Sequence, residues 1–212
     1  MTRVRTGLWA LRLLRVCGFV AVTALAGCAQ PALRPAIPSA TPHDLHVAHV
    51  DAISALRSWR LAGRLAVQAE VKGFSADLDW RETTTGFDLR VAAPLNRGTF
   101  ALSGNTRAVS LVTPKGETYT AADAETLMRQ HLGWALPLTG VRYWVRGLPD
   151  PALAVSAEHL DSAGRWRDFV QDGWQISVLE YRVAAGLDLP SRLSLSHDKL
   201  RVRMAIKRWE RL

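Results

Sequence analysis

His43, His46 and His49 recur at three-residue spacing, and imidazoles in series are candidate metal ligands. On a helix, two steps of three residues fan the rings through about 120°. No cysteine or ordered carboxylate set accompanies them, so a solvated helix face is expected. Ser156, His159 and Asp161 supply the residue types of a nucleophilic triad. A triad is defined by geometry rather than by closeness in sequence, and an exposed strand end is the expectation here. Asp77 and Asp79 could act as an acid–base pair, but with Ser75 and Arg81 beside them they read as one wet strand face. The chain contains no phosphate-binding P-loop, no dinucleotide fingerprint and no zinc spacing. Neither enzymatic activity nor a metal or cofactor is expected.

The two cysteines tell a different story. Residues 1–27 run from an Arg-rich start (Arg3, Arg5, Arg12, Arg15) through an apolar stretch at 16–26 to small residues. That order defines a secretory signal peptide. The apolar run is shorter than the ~18 residues of a spanning helix. Leu25-Ala26-Gly27-Cys28 resembles the bacterial lipobox. The resemblance implies cleavage before Cys28, a diacylglycerol on its sulfur and an acyl chain on its amine. Cys17 lies in the discarded segment, so no disulfide is expected although the compartment would permit one. Ala29 stands where the enteric sorting rule places Asp for inner-membrane retention, which points to the outer membrane. The alternative is a plain signal peptide with Cys28 as an incidental small residue. Residues 28–42 hold Pro31, Pro35, Pro38 and Pro42; proline fixes φ and offers no N–H, so a semi-extended tether is expected.

These features need a body to carry them. From residue 43 to 58 the apolar positions Leu45, Ala48, Ala52, Ile53 and Leu56 recur at helical spacing. The period then switches to two: Leu61, Leu65, Val67, Ala69 and Val71; Phe74, Ala76, Leu78 and Trp80; Phe87, Leu89, Val91 and Ala93. Such alternation marks strands with one apolar and one wet face. Connections such as Lys72-Gly73, Thr85-Gly86 and Gly104-Asn105 are too short for parallel crossovers, so the sheet must be antiparallel. Further strands are expected near 98–104, 107–113, 117–120, 153–159, 166–171, 174–183, 190–196 and 200–209, eleven in all. Between the two groups a helix is expected with Thr120 as cap and Leu127, Met128, His131 and Leu132 on its apolar face, then a shorter one opened by Pro137. Three short helices cover only part of such a sheet. The fold class is therefore α+β, mainly β: an antiparallel unclosed β-barrel with an apolar lumen under short helices. Residues 43–212 form its single domain.

Composition agrees. Hydrophobic residues make up 48% and charged residues 22%, an ordinary globular balance. The net charge of +8 invites a nucleic-acid reading, but four of the 27 basic residues and no acid lie in residues 1–27. The mildly basic remainder has no basic block, so no nucleic-acid partner is expected.

Several short motifs together carry a family resemblance. They are Trp59, Gly63-Arg64, Trp80, Pro94-Leu95, Tyr119 to Glu125, Leu132-Gly133-Trp134-Ala135-Leu136-Pro137-Leu138, Trp144 to Pro149, Gln171-Asp172-Gly173-Trp174, Leu189-Pro190 and Trp209. Over residues 59–209 this resembles the LolB family of outer-membrane lipoprotein receptors. The resemblance implies an eleven-stranded unclosed barrel and an acceptor that takes acylated lipoproteins from the periplasmic carrier LolA. It implies insertion of those lipoproteins into outer-membrane lipid at the periplasmic leaflet, by a monomer without nucleotide or metal. It also implies that Leu95, on a loop between two strands, acts in membrane insertion. The family often has Pro-Leu-Gly; here Asn96 and Arg97 precede Gly98.

An acyl-chain cavity would then be walled by apolar-face residues. The strand candidates are Leu65, Val67, Phe74, Leu78, Trp80, Phe87, Leu89, Phe100, Leu102, Met204 and Ile206, with Leu127, Met128, Leu132 and Trp144 as lid. Two other functions are compatible with the residues: an anchored envelope scaffold whose barrel is filled by its own side chains, and a lipid-processing enzyme whose nucleophile and base are not evident.

Overall fold

A computed structural model of the chain describes residues 41–69, 72–94 and 98–212. The signal segment, Cys28, most of the tether, Val71 and the Leu95-Asn96-Arg97 loop lie outside the described residues.

The order is α1 (Pro42–Ser54), β1 (Trp59–Ala69), β2 (Lys72–Glu82), β3 (Phe87–Ala92), β4 (Thr99–Gly104), β5 (Val109–Val112) and β6 (Thr118–Ala121). There follow α2 (Ala124–Leu132), α3 (Leu138–Trp144), β7 (Ser156–Leu160), β8 (Trp166–Gln171), β9 (Trp174–Ala184), β10 (Leu187–His197) and β11 (Leu200–Arg211). All eleven strands form one antiparallel sheet in the order β6-β5-β4-β3-β2-β1-β11-β10-β9-β8-β7. The chain meanders out to β6, crosses through α2 and α3, and meanders back from β7 until β11 closes against β1. The outermost strands β6 and β7 do not pair with each other, so the barrel is unclosed.

The alternation drives the curl. Leu61, Leu65, Val67, Leu78, Trp80, Val202, Met204 and Ile206 are buried on the inner face. Arg60, Arg64, Asp77 and Asp79 stand outside, where Arg60 bonds Asp79 at 2.7 Å and Arg64 approaches Asp77 at 3.6 Å. On β11 the phase breaks at Lys207-Arg208, both exposed, because the register with β1 shifts between Ala62 and Gly63. An extra residue there bends the strand and lets Trp209 turn inward. Gly63 lies at that bend because a Cβ would collide with the Ala205 carbonyl oxygen. Trp59 packs edge-on between Trp80 and Trp209, with ring centroids 5.2 and 5.4 Å away, and this cluster fills one end of the inner face.

Three local expectations change. The cap of α2 is Asp123, whose carboxylate accepts from the Thr126 N–H at 2.7 Å, because Thr120 is still paired in β6. A capping box does form, but on α1, between Thr41 and Asp44. α1 is not simply solvated: His46 Nδ1 lies 2.7 Å from the Gly164 carbonyl and its ring meets Trp166 edge-on, while His49 abuts Tyr181. β10 also begins three residues early and runs through Pro190, at irregular pairing with β9.

Candidate functional site

The sheet encloses two unlike volumes. Under β8, β9 and β10 the inner face is filled: Trp144, Phe169, Ile176, Leu189, Leu193 and Leu195 are almost fully buried in one continuous core. Under β1 to β4 and β11 it is hollow, with an apolar cavity of about 530 Å³.

The floor and wall come from the strands. Leu65, Leu78, Trp80, Leu89, Leu102 and Met204 project from five neighbouring strands, each because it sits on the inward phase of its alternation. The roof comes from the helical crossover, through Met128 and Leu132 of α2, Trp134 and Leu136 of the connection, and Leu138 and Val141 of α3. Gly133 ends α2 with φ +78°, a left-handed conformation that suits glycine and turns the chain so that Trp134 returns over the sheet. At the mouth, Phe74 is 40% exposed and meets Trp134 at 5.8 Å between ring centroids. On the opposite side His131 stacks on Tyr119 of the edge strand β6 at 3.8 Å.

Of the sequence candidates, Leu65, Phe74, Leu78, Trp80, Leu89, Phe100, Leu102, Met128, Leu132 and Met204 face this cavity. Val67, Leu127, Trp144 and Ile206 are buried but do not line this cavity, and Phe87 lines a separate cleft beside Glu82 and Arg142. Alternation places a side chain inside without saying whether anything stands opposite it. Val91, Trp134, Leu136, Leu138 and Val141 also line the cavity, beyond the acyl-chain candidates. The spacing of Leu138 and Val141 on one helical face was a usable signal. Trp134 and Leu136 lie in a connection, where no periodicity exists.

Polar anchors fix the roof to the sheet. Buried Gln171 on β8 accepts from Trp144 Nε1 and from the Asp150 N–H, each at 2.8 Å, and its amide donates to the Asp150 and Leu153 carbonyls. Glu82 on β2 accepts from Trp80 Nε1 at 3.1 Å and pairs with Arg142 of α3 at 3.2 Å. Burial pushes the Glu82 carboxyl above its usual range, against the opposing pull of Arg142 and Trp80. Arg146 donates to the Leu56 carbonyl at 3.0 Å and to the Arg142 carbonyl at 3.1 Å, joining α3 to the end of α1. The Glu125 carboxylate accepts from the Leu138 N–H at 3.0 Å, tying α2 to α3.

The other candidate chemistries are not assembled. Ser156 and His159 are exposed on β7, and Asp161 is held by Arg165 at 2.7 Å. Among the described residues no three His, Cys, Asp or Glu side chains gather as a metal site.

Fold and cavity define the class: an open antiparallel barrel, half packed and half hollow, whose apolar hollow is roofed by a helical crossover. Residues 57–209 match the profile of the family described as "Outer membrane lipoprotein LolB". The Outer-membrane lipoprotein LolB of Nitrosococcus oceani is 39% identical over 88% of this chain and 92% of its own length. That of Pseudomonas putida is 35% identical over 91% and 93%. The chain belongs to the LolB family. Among solved structures, a LolA superfamily protein from Nitrosomonas europaea aligns over 81% of this chain and 94% of its own, with 7% identity and a TM-score of 0.47.

Proposed function

We propose that this chain is an outer-membrane lipoprotein acceptor: it takes acylated lipoproteins from the periplasmic carrier LolA and inserts them into the outer membrane, without catalysis. The roofed apolar cavity of about 530 Å³, in a chain of the LolB family, carries this reading. A barrel acting only as scaffold would gain by filling that hollow, since unfilled apolar volume forfeits contacts.

The energetics favour exchange over capture. At ~0.8 kcal/mol per buried methylene, three long acyl chains amount to tens of kcal/mol. Non-covalent affinity saturates near roughly −20 kcal/mol, so no site realises that sum. Apolar area covered in the donor becomes area covered in the acceptor, and a difference of ~1.4 kcal/mol already biases the hand-off tenfold.

In this reading residues 1–27 are removed as a signal peptide. The lipidated Cys28 then anchors the chain in the periplasmic leaflet, the residues from Ala29 up to the Thr41 cap of α1 act as tether, and the rest of the chain works as one monomeric domain. Leu95 falls between β3 and β4 in the sequence, in a short connection. A leucine in such a turn, where polar residues prevail, suits insertion into lipid. The test is a reconstituted transfer from LolA to the acceptor and on to outer-membrane vesicles. The full chain is expected to empty the carrier; Leu95→Glu is expected to take up lipoprotein but fail to deliver it. Failure of the full chain to accept lipoprotein overturns the assignment. Delivery by Leu95→Glu at the unaltered rate removes Leu95 from it.

A further inference from the structure

We propose that His131 recognises the acyl-ester group of the incoming lipoprotein, donating a hydrogen bond to an ester carbonyl at the cavity mouth while the chains fill the hollow beneath. The proposal rests on the acceptor reading and names the polar part of its substrate.

The depth profile of the cavity supports it. Deep residues such as Leu78, Trp80, Leu102 and Val141 are buried and apolar, and the indole N–H of Trp80 is already committed to Glu82. Hydrogen-bonding side chains without an intramolecular partner face the cavity only near its mouth among the described residues: His131, Ser75 and the Trp134 indole. Ser75 sits on the outward phase of β2, between the inward Phe74 and Ala76, and so meets the cavity from its edge. His131 stands on the last turn of α2 and is half-buried. Its ring is held by Tyr119 at 3.8 Å, and the Tyr119 hydroxyl is in turn held by Glu117 at 3.3 Å. Among the described residues neither ring nitrogen has a hydrogen-bond partner, and a neutral imidazole always retains one N–H donor.

The chemistry of the ligand supplies the other half. In a diacylglyceryl cysteine, the ester carbonyls stand at the tops of the two chains. When the chains descend into the hollow, those carbonyls arrive at the rim and leave water. An acceptor that loses its water without a replacement carries a penalty, and a positioned donor removes it. His131, its ring held against Tyr119, is a positioned donor at that level, beside the Trp134 indole that packs on Phe74. It thereby gives the apolar cavity a means of distinguishing an ester-linked lipid from chains alone.

The test uses the full mature chain carrying Cys28→Ser to keep it off membranes. It compares binding of two synthetic lipopeptides, S-(2,3-dipalmitoyloxypropyl)-N-palmitoyl-cysteine and its 2,3-dihexadecyloxypropyl ether analogue, which keeps the long chains and lacks the ester carbonyls. The unsubstituted ring is expected to favour the ester by about 3- to 10-fold, the range of one neutral hydrogen bond. His131→Phe retains the ring against Tyr119 and is expected to abolish that preference by weakening the ester ligand alone. His131→Gln, which keeps a donor, is expected to retain it. Equal weakening of both ligands by His131→Phe assigns the ring a packing role and overturns the proposal. So does persistence of the ester preference in the Phe variant, or its loss in a folded Gln variant. Absence of binding of either lipopeptide to the unsubstituted protein instead overturns the acceptor reading.

Discussion

Gln171 joins parts of the chain that apolar packing alone does not lock. Its carboxamide is 1% exposed and takes part in four hydrogen bonds, two accepted and two donated, so both ends of the amide are used. One accepted bond is from the roof helix through Trp144, and the others fix the segment that leads from α3 to β7. Gln171→Leu preserves approximate volume but strands the Trp144 N–H, the Asp150 N–H and two carbonyls in the interior. A loss of about 2–4 kcal/mol is expected, more than a single surface hydrogen bond is worth. Urea unfolding monitored by tryptophan fluorescence measures it; a change below roughly 1 kcal/mol would mean that water replaces the amide. The Gln-Asp-Gly-Trp motif was visible in the sequence, but its role was not, since the four partners lie 18 to 27 positions away. The same limit applies to the cavity. Leu78 and Ile206 have the same alternation signature and are both buried, yet only Leu78 lines the hollow.

α1 is the element whose character the sequence concealed. Helical spacing predicts its existence and its inward residue Ile53, while Leu56 lies just past its end; both are almost fully buried. The histidine series reads as solvated because each partner lies far away in the sequence: Gly164, just before β8, and Trp166 of β8 for His46, Tyr181 of β9 for His49. Docking leaves His49 Nε2 buried without a hydrogen-bond partner. Burial, reinforced by Arg165, holds the imidazole below its usual range, although Asp188 and Asp161 pull the other way. Well above about pH 6.5 the ring is neutral both folded and unfolded, so its titration does not alter stability. As pH falls below that, the unfolded chain takes up a proton that the folded chain resists, so stability must decline. His49→Phe keeps the edge-on contact with Tyr181 and removes the titration. The expected result is a urea midpoint that drops between about pH 7.5 and pH 5.5 in the parent and drops less in the variant. Amide exchange in α1 should quicken over the same window in the parent. Identical slopes in both proteins would show that His49 does not resist protonation.

Strand number, antiparallel order and helical roof all follow from short-range patterns, because each strand needs only its own alternation and a tight turn. The division into a packed half and a hollow half does not, because it depends on whether residues from the crossover descend far enough to meet the sheet. Over β8 to β10 they do, through Trp144; over β1 to β4 the roof stops short and leaves about 530 Å³. If this space is where acyl chains reside, occupying it from within must remove binding while sparing the fold. Ala76 offers the means: it is 1% exposed, faces the cavity from β2 and pairs with Leu65 across the strand. Ala76→Trp is expected to lay an indole into the hollow. Overpacking typically costs 1–3 kcal/mol in a filled core, and less is expected here because the room exists. Lipopeptide binding should fall at least tenfold. Ala101→Trp is the control, since Ala101 pairs with Arg90 on the wet side of the sheet and should leave binding intact. A folded Ala76→Trp protein that binds as well as the control would place the acyl chains elsewhere on the molecule, and the hollow would then need another occupant.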